Sequence, residues 1–582
     1  MRRLTILISL AASLAVSRPA PAADLSPQRW PQAERLRLEQ NEAAIWPTQV
    51  RAAAGTHGLV TGTASPVAVH AGVEALRQGG TAADAAIATA LTQVTMMLGA
   101  NVSYAGVAEI LYFERRTGRV HVLDAGWGSW RGERSPATIP NADISAITGR
   151  GPGAAGAAGR KALVPGFMAG MEAFHGRFGR LPFRDLFAPA IWYAEQGVPV
   201  TPLLGSYFTM ARPILDTSPE GRAYSARPGE RFVPPGLAAT LRSAARDGAS
   251  AMYDGAWARH YVETVRAQGG AATLEDMAAY APRWTEPLSM TLSGATLFGP
   301  NAANGNGCAI MMALNLLDHR PRTGPYWQDP AAFRDAATAL RASFFAPYAP
   351  EVAAFEQRFG LGGSCAARLT PAYGAAAAAA LDSLAPARDA APAGHHSASV
   401  VAVDRWGNVA ALVHSSNTPL WGDTGMIVDG VPVPTPAGIY QSALARISPG
   451  DRLPSDIAPM ILLRGGNAEA AIATIGTSLV PETVRLMLAM ARGEDLAVAL
   501  GAPPLLLNVE DLTSPLIARD ELVPAGRFPP DFLARVRAQG MPVREVDAGR
   551  TLVLRGTAVA ATLSGDRRAV EVPGVMGFAE AE

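Results

Sequence analysis

The chain has 582 residues, 49% of them apolar and 17% charged, which is enough apolar material for a large packed core and too little charge for a disordered chain. At roughly 150 residues per domain the length suggests about four units, unless one large layered α/β body takes it all. Fifty acidic residues balance fifty basic ones, all of the latter Arg except Lys161, so the basic excess of a nucleic-acid-binding protein is missing and no nucleic-acid partner is expected.

Met1-Arg2-Arg3, the apolar run of residues 4–16 and the small residues Ala20-Pro21-Ala22 have the pattern of a secretory signal, cleaved near Ala22 or Ala23. The apolar run is shorter than the ~20 residues of a spanning helix, so the mature protein is expected to be free of the membrane and periplasmic or secreted. Residues 58–64 read as a strand. Pro66 to Gln78 has helical spacing through Val69, Val73 and Leu76 and stops at Gly79-Gly80. Residues 82–97, rich in Ala and apolar on most faces, predict a buried helix. Residues 109–113 and 119–123 bracket Arg116-Thr117-Gly118 as a hairpin. Residues 144–160 are a Gly/Ala-rich loop, 164–196 and 235–280 are helical, 288–298 is strand-like, and 301–307 is a polar loop. The alanine run of 375–380 leads into a Pro/Ala-rich tract that reads as a flexible linker over about 380–396. The linker feeds directly into a second hairpin: a strand over 397–403, a turn at Asp404-Arg405-Trp406-Gly407-Asn408, and a strand over 409–414. A linker entering a core hairpin is what a chain cut at that junction would show.

Cys308 and Cys365 are the two cysteines. An exported chain permits a disulfide between them without demanding one, and Cys308, in an apolar helix start, reads as a small buried residue. His57, His70, His121, His175, His260 and His319 are scattered without ligand spacing, and neither an HExxH pattern nor a phosphate-binding GxxxxGK[ST] occurs. No metal or cofactor is expected.

Several segments, in order over roughly residues 55–500, carry a resemblance. They are His70-Ala-Gly-Val-Glu-Ala-Leu-Arg-Gln-Gly-Gly-Thr-Ala-Ala-Asp-Ala-Ala, Val164-Pro-Gly-Phe-Met-Ala-Gly, Phe178-Gly-Arg-Leu-Pro, Ala188-Pro-Ala, Ala194-Glu-Gln-Gly, Leu274-Glu-Asp-Met-Ala-Ala-Tyr with Glu286-Pro-Leu, and Val403-Asp-Arg-Trp-Gly-Asn-Val. Together they resemble the γ-glutamyltransferase family of N-terminal-nucleophile hydrolases. The resemblance implies an α/β (α+β) fold, a four-layer αββα sandwich. It also implies a precursor that cuts itself into a large subunit, here 24–396 after the signal of 1–23, and a small subunit, here 397–582. The new N-terminal residue, normally Thr, would then be nucleophile and base together. Its α-amine, with a pKa near ~8, can take the hydroxyl proton without a histidine.

An ungapped match puts that nucleophile on Ser397; a gapped one puts Gly394 or His395 there, which would mean no nucleophile. Serine keeps the hydroxyl and loses the methyl that restricts χ1. The supporting hydroxyl and amide map onto Ser415 and Asn417, which could equally form a polar turn of their own. The substrate-binding serine pair falls on Ser455 and Asp456, and the Gly-Gly pair of the oxyanion hole on Leu479 and Val480, where bulk restricts how the N–H groups are aimed. The arginine that grips a substrate carboxylate falls near Gly126, so no fork of donors is expected there. The acidic residue for the substrate amine has no clear counterpart, and of the glycine-rich loop Asn101-Val-Ser-Tyr-Ala-Gly only Gly106 is kept. His395-His396 could assist processing or be exposed linker. The implied partner is a small-molecule amide or γ-glutamyl substrate, with γ-glutamyl specificity weakened. The competing reading is an uncut, inactive relative that serves as a periplasmic binding or interaction protein.

Overall fold

The computed structural model describes residues 23–42, 52–140, 158–301, 305–321, 324–346, 350–384, 389–390, 397–418, 420–507, 516–517, 520–563, 567–571 and 577–582. Fourteen strands build two antiparallel sheets of seven. In chain order they are β1 (Ala52–Gly55), β2 (Leu59–Thr63), β3 (Val107–Glu114), β4 (Arg119–Ala125), β5 (Arg283–Thr285), β6 (Leu288–Leu292), β7 (Ala295–Gly299), β8 (Ala398–Val403), β9 (Val409–Ser415), β10 (Met460–Arg464), β11 (Asn467–Gly476), β12 (Gly556–Thr562), β13 (Arg567–Glu571) and β14 (Gly577–Ala581). The first sheet runs β14-β2-β8-β9-β3-β4-β5 and the second β1-β13-β12-β11-β10-β7-β6. Helices α1 (Pro66–Arg77), α2 (Ala82–Met96) and α3 (Phe167–Phe178) cover the first sheet, while α4 (Asn306–Asp318) and α5 (Leu479–Ala491) cover the second. β11 lies across β8 and β9, so the two sheets face each other and the layers are αββα.

The alanine-rich stretch forms α2, and all fifteen of its residues are buried. Small side chains let it lie close to β8 and β9 on one face and to α1 on the other. At Gly72 of α1, an added Cβ would stand 2.2 Å from Thr89 Oγ1. Three motif segments meet at the N-terminus of α2. Thr81 and Asp84 form a capping box. The Asp84 carboxylate also accepts from Arg180 N at 2.9 Å. Asp404, in the turn between β8 and β9, accepts from Ala82 N at 3.0 Å and from Trp406 N and Asn408 N within its own turn. The resemblance thus rests on residues that tie a helix start to a loop and to a hairpin.

Residues 288–298 are two strands rather than one, because Ser293 and Gly294 take left-handed φ of 48° and 77° and turn the chain. Helical structure continues past the alanine run through Leu381–Leu384, with both leucines buried. Beyond it only Asp389–Ala390 of the expected linker is described, paired with Leu516–Ile517. The signal segment and the Gly/Ala-rich loop up to residue 157 lie outside the described residues. Cys308 is not a lone buried residue: it is bonded to Cys365, 57 residues away, joining α4 to the short helix Cys365–Arg368. Closing a loop of that size restricts the unfolded chain, a contribution of about 2–4 kcal/mol. Replacing both cysteines by Ala should lower stability by that amount in a denaturant melt. An unchanged midpoint with and without reductant would show that the bond does not form.

Candidate active site

Register places the two serines. β8 pairs with β9 as Ala398↔His414 through Val403↔Val409, which brings Ser397, just before β8, beside Ser415 at the end of β9. Ser397 Oγ donates to Ser415 Oγ at 2.8 Å, and Asn417 N donates to the same oxygen at 2.9 Å. Asn417 holds φ at 47°, a left-handed conformation that Asn tolerates better than most residues. Its side chain is anchored at both ends. Oδ1 accepts from Trp127 Nε1 at 3.2 Å, and Nδ2 donates to Tyr440 OH at 3.0 Å and Asp456 Oδ1 at 3.1 Å. Tyr440 donates its hydroxyl to the same Asp456 carboxylate, and Asn306 Nδ2 donates to the Asp456 carbonyl at 2.5 Å. Ser397 is 9% exposed.

The helix side of the sheet braces this corner. Gln93 of α2 donates Nε2 to the carbonyls of Thr63 on β2 and Ser399 on β8. Its Oε1 is left to accept, so the bond to His414 Nε2 at 2.8 Å assigns that proton to the histidine. Full burial without a counter-charge pushes His414 down to about 3, which keeps it neutral. Gly106 explains why one glycine of the old loop is kept. An added Cβ would stand 2.4 Å from the Ser415 carbonyl oxygen, and the Gly106 carbonyl accepts from Gly166 N and Phe167 N at the start of α3.

Next to the serines lies a cluster of carboxyls. Burial raises the Asp456 carboxyl above its usual range, against the opposing effect of the Tyr440 and Asn417 bonds. Burial, and then the Asp456 charge, push the Tyr440 hydroxyl far up. Glu109 on β3 is raised by burial and then by Asp124, its cross-strand partner on β4; Ser455 and Arg452 oppose the shift. The expectation of an empty fork near Gly126 needs correcting. Arg452, 326 residues away in sequence, donates Nη1 to the Gly126 carbonyl at 3.1 Å and to Tyr280 OH at 2.6 Å, and Nη2 to the Ala281 carbonyl at 2.7 Å. It also stands 3.7 Å from Asp124. A guanidinium is therefore present, directed at protein acceptors.

The predicted residues fall into two groups. Ser397, Ser415, Asn417 and Asp456 are joined by consecutive hydrogen bonds. Ser455 turns its hydroxyl toward the Ile457 backbone and Glu109. Leu479 and Val480 open α5 with their side chains buried in the core of the second sheet. As the first two residues of that helix, their N–H groups have no intrahelical acceptor. His395 and His396 lie outside the described residues. Trp127, Tyr440 and Glu109 escaped sequence reading, while Tyr280 and Arg452 lie in segments that carry the resemblance but had no role of their own there. Only Glu109 carried a signal there, a lone carboxyl in an apolar strand. Among the described residues no group of three or more His, Cys, Asp or Glu is arranged to hold a metal ion.

The chain matches the gamma-glutamyltranspeptidase family over residues 68–554. It belongs to that family. With it the chain takes its place in the N-terminal-nucleophile hydrolase superfamily. It is 27% identical to the glutathione hydrolase proenzyme of Pseudomonas aeruginosa over 69% of this chain and 74% of that protein. Identity is 31% to the glutathione hydrolase 5 proenzyme of Rattus norvegicus, over 42% of each chain, so the match spans less than half of that relative. Among family members named acylases, the acylase ACY 1 proenzyme of Pseudomonas sp. strain SE83 is 31% identical over 46% of this chain and 48% of its own. The crystal structure of cephalosporin acylase from Bacillus halodurans has the same fold, with a TM-score of 0.72, 21% identity, and coverage of 92% of this chain and 98% of that one.

Two outcomes test the corner around Ser415. Because the folded state holds His414 neutral down to about pH 3 against an ordinary 6.5, the unfolded chain binds the extra proton between those values. Stability is then lost as pH falls through that window, by about 1.4 kcal/mol per pH unit. His414→Gln should remove this slope in denaturant melts between pH 7 and 4; parallel curves for both proteins would mean that the imidazole is charged in the fold. Gly106→Ala should cost about 1–3 kcal/mol, since the backbone must shift to admit the methyl, and a mutant as stable as the parent would contradict the close approach.

Proposed function

We propose that this protein is an exported amidohydrolase or acyltransferase of its family, made as a precursor that cleaves itself before Ser397. Residues 24–396 and 397–582 would then be its large and small subunits. The observation that carries the reading is the 2.8 Å bond from Ser397 to Ser415, with Asn417 on the same oxygen. A hydroxyl held this way, immediately before a core strand, suits a nucleophile whose own α-amine is the base. In processing, Ser397 Oγ attacks the carbonyl carbon of residue 396. The peptide C–N bond breaks as the hydroxyl proton passes to the departing nitrogen, which frees the α-amine, and water then hydrolyses the ester to a carboxylate and the restored Ser397 hydroxyl. In turnover, Oγ attacks a substrate amide, the α-amine takes its proton and hands it to the leaving amine, and water or a second amine releases the acyl group. The N–H groups of Leu479 and Val480, at the positive end of α5, are the donors we assign to the oxyanion.

Relatives named proenzymes, hydrolases and acylases support this reading. Export is supported by the N-terminal pattern and by the Cys308–Cys365 bond, which an oxidising compartment preserves. Specificity is altered, in our reading, because the Arg452 fork is spent on protein acceptors. The bulk of Leu479 and Val480, where the resemblance implies two glycines, favours a second reading, an uncut binding protein.

Wild type should yield two fragments, the smaller beginning at Ser397 by N-terminal sequencing, and Ser397→Ala should leave one band of full mature length. A mutant that still splits at the same bond, or a wild type that never splits, removes Ser397 from the chemistry. γ-Glutamyl-p-nitroanilide should be a poor substrate of the cut protein, and rapid turnover would mean that a carboxylate-gripping cation exists in the site after all.

A further inference from the structure

The carboxyls beside the serines have no place in the chemistry just derived, and one of them is unsatisfied. Glu109 is 2% exposed, and its Oε2 has no hydrogen-bond partner. It sits on β3 opposite Val413 of β9, while Ser415 sits opposite Val107 two residues away. Diagonal neighbours of this kind stand about 7–8 Å apart on one face of a sheet, so the carboxyl and the nucleophile's partner share the face that looks toward the second sheet. Ser455, whose hydroxyl acts on Glu109, is followed directly by Asp456, whose carboxylate holds Asn417.

The charge balance of this corner is lopsided. Asp124 is matched by Arg452 at 3.7 Å, and that guanidinium is also committed to the Gly126 and Ala281 carbonyls and to Tyr280. Among the described residues neither Glu109 nor Asp456 forms an ion pair. Lys161 is itself paired with Asp423 at 2.6 Å. A buried carboxyl without a partner is costly, and a ligand that supplies the partner recovers that cost. A cation would favour the charged form of each carboxyl against the burial that raises both, and a ligand carboxylate would not.

We propose that Glu109, with Asp456 beside it, forms the pocket for the far end of the acyl donor, and that this pocket selects donors ending in a cation, an ammonium or guanidinium, over donors ending in a carboxylate. The inference rests on the Ser397 reading above, since it names the substrate class of that site. Glu109 is then a specificity-determining residue, paired with the incoming cation and idle for a neutral chain.

Three p-nitroanilides of matched length test this on the cut protein: 4-guanidinobutyryl, glutaryl and pentanoyl. The guanidinium donor should exceed the glutaryl donor in kcat/KM by about tenfold or more, and Glu109→Gln, an isosteric change, should lower the ratio of guanidinobutyryl to pentanoyl turnover by about tenfold. Preference for the glutaryl donor, or a ratio untouched by Glu109→Gln, overturns the proposal while leaving the nucleophile in place. Calorimetry with the unreactive 4-guanidinobutyramide and glutaramate separates the two readings. If no anilide turns over, yet wild type binds the guanidinium ligand more tightly and Glu109→Gln binds it less tightly, the pocket stands and the catalytic reading falls. Equal, reversed or absent binding overturns the pocket. Should Glu109→Gln not fold, the wild-type ranking of the three donors and two ligands still decides.

Discussion

Two hydroxyl groups 2.8 Å apart, on Ser397 and Ser415, are the contact on which the rest of this corner depends. They meet because β8 and β9 pair in one register, and a slip of a single residue would send one of them to the helix side of the sheet. Three features hold that register. Gln93 reaches from α2 to the carbonyls of β2 and β8 and accepts from His414 on β9, so it clamps three strands from behind. Asp404 ties the turn of the hairpin to the first residue of α2. Gly106 brings β3 and its preceding loop against the carbonyl of Ser415 itself. The helix layer, the turn and the neighbouring strand thus fix one oxygen–oxygen distance.

Much of the architecture was legible because local chemistry and tertiary packing agree. The Thr81 to Asp84 spacing is a helix start in any context, and the Gly-rich stop after α1, the largely apolar α2 and the hairpin over Asp404 follow from period and turn residues alone. Ser397, Ser415 and Asn417 were legible through the resemblance, and the register of the hairpin brings them together. What escaped reading are contacts with no local signature. Arg452 and Gly126 are far apart in sequence, so an arginine missing at one position gave no hint that another would arrive there from a distant loop. Trp127 and Tyr440 each spend a polar end on Asn417, a contact that no local pattern announces. Cys308 read as a small apolar residue because its helix is apolar, and pairing depends on where Cys365 lies in space.

The departures from the family pattern form one change rather than several. With the guanidinium beside Gly126 turned onto Asp124 and backbone carbonyls, the corner has no uncommitted cation among the described residues to face a ligand carboxylate. In the same space a carboxyl stands at Asp456, where the resemblance implies a serine, and another at Glu109 within an otherwise apolar strand. Each alone would be an expensive burial. With the arginine engaged elsewhere, the proposed pocket would favour a cation over a carboxylate while the proposed nucleophile stays put.

Serine in place of threonine also has a structural answer. A threonine hydroxyl is steered by its own methyl; a serine hydroxyl must be steered from outside. Here Ser415 Oγ accepts from Ser397 and from the Asn417 N–H at once. Accepting two bonds draws charge from that oxygen and makes its own O–H a better donor. In the proposed chemistry the Ser397 proton leaves for an amine, and the Ser415 hydroxyl then rotates to donate to the new anion without any heavy atom moving. The Asn417 N–H keeps Ser415 in place during the exchange, because its own amide is held by Trp127, Tyr440 and Asp456. The aim that a methyl group would have given Ser397 is supplied by a chain of hydrogen bonds ending on the half-buried Asp456 carboxyl, the same group that the proposed pocket uses.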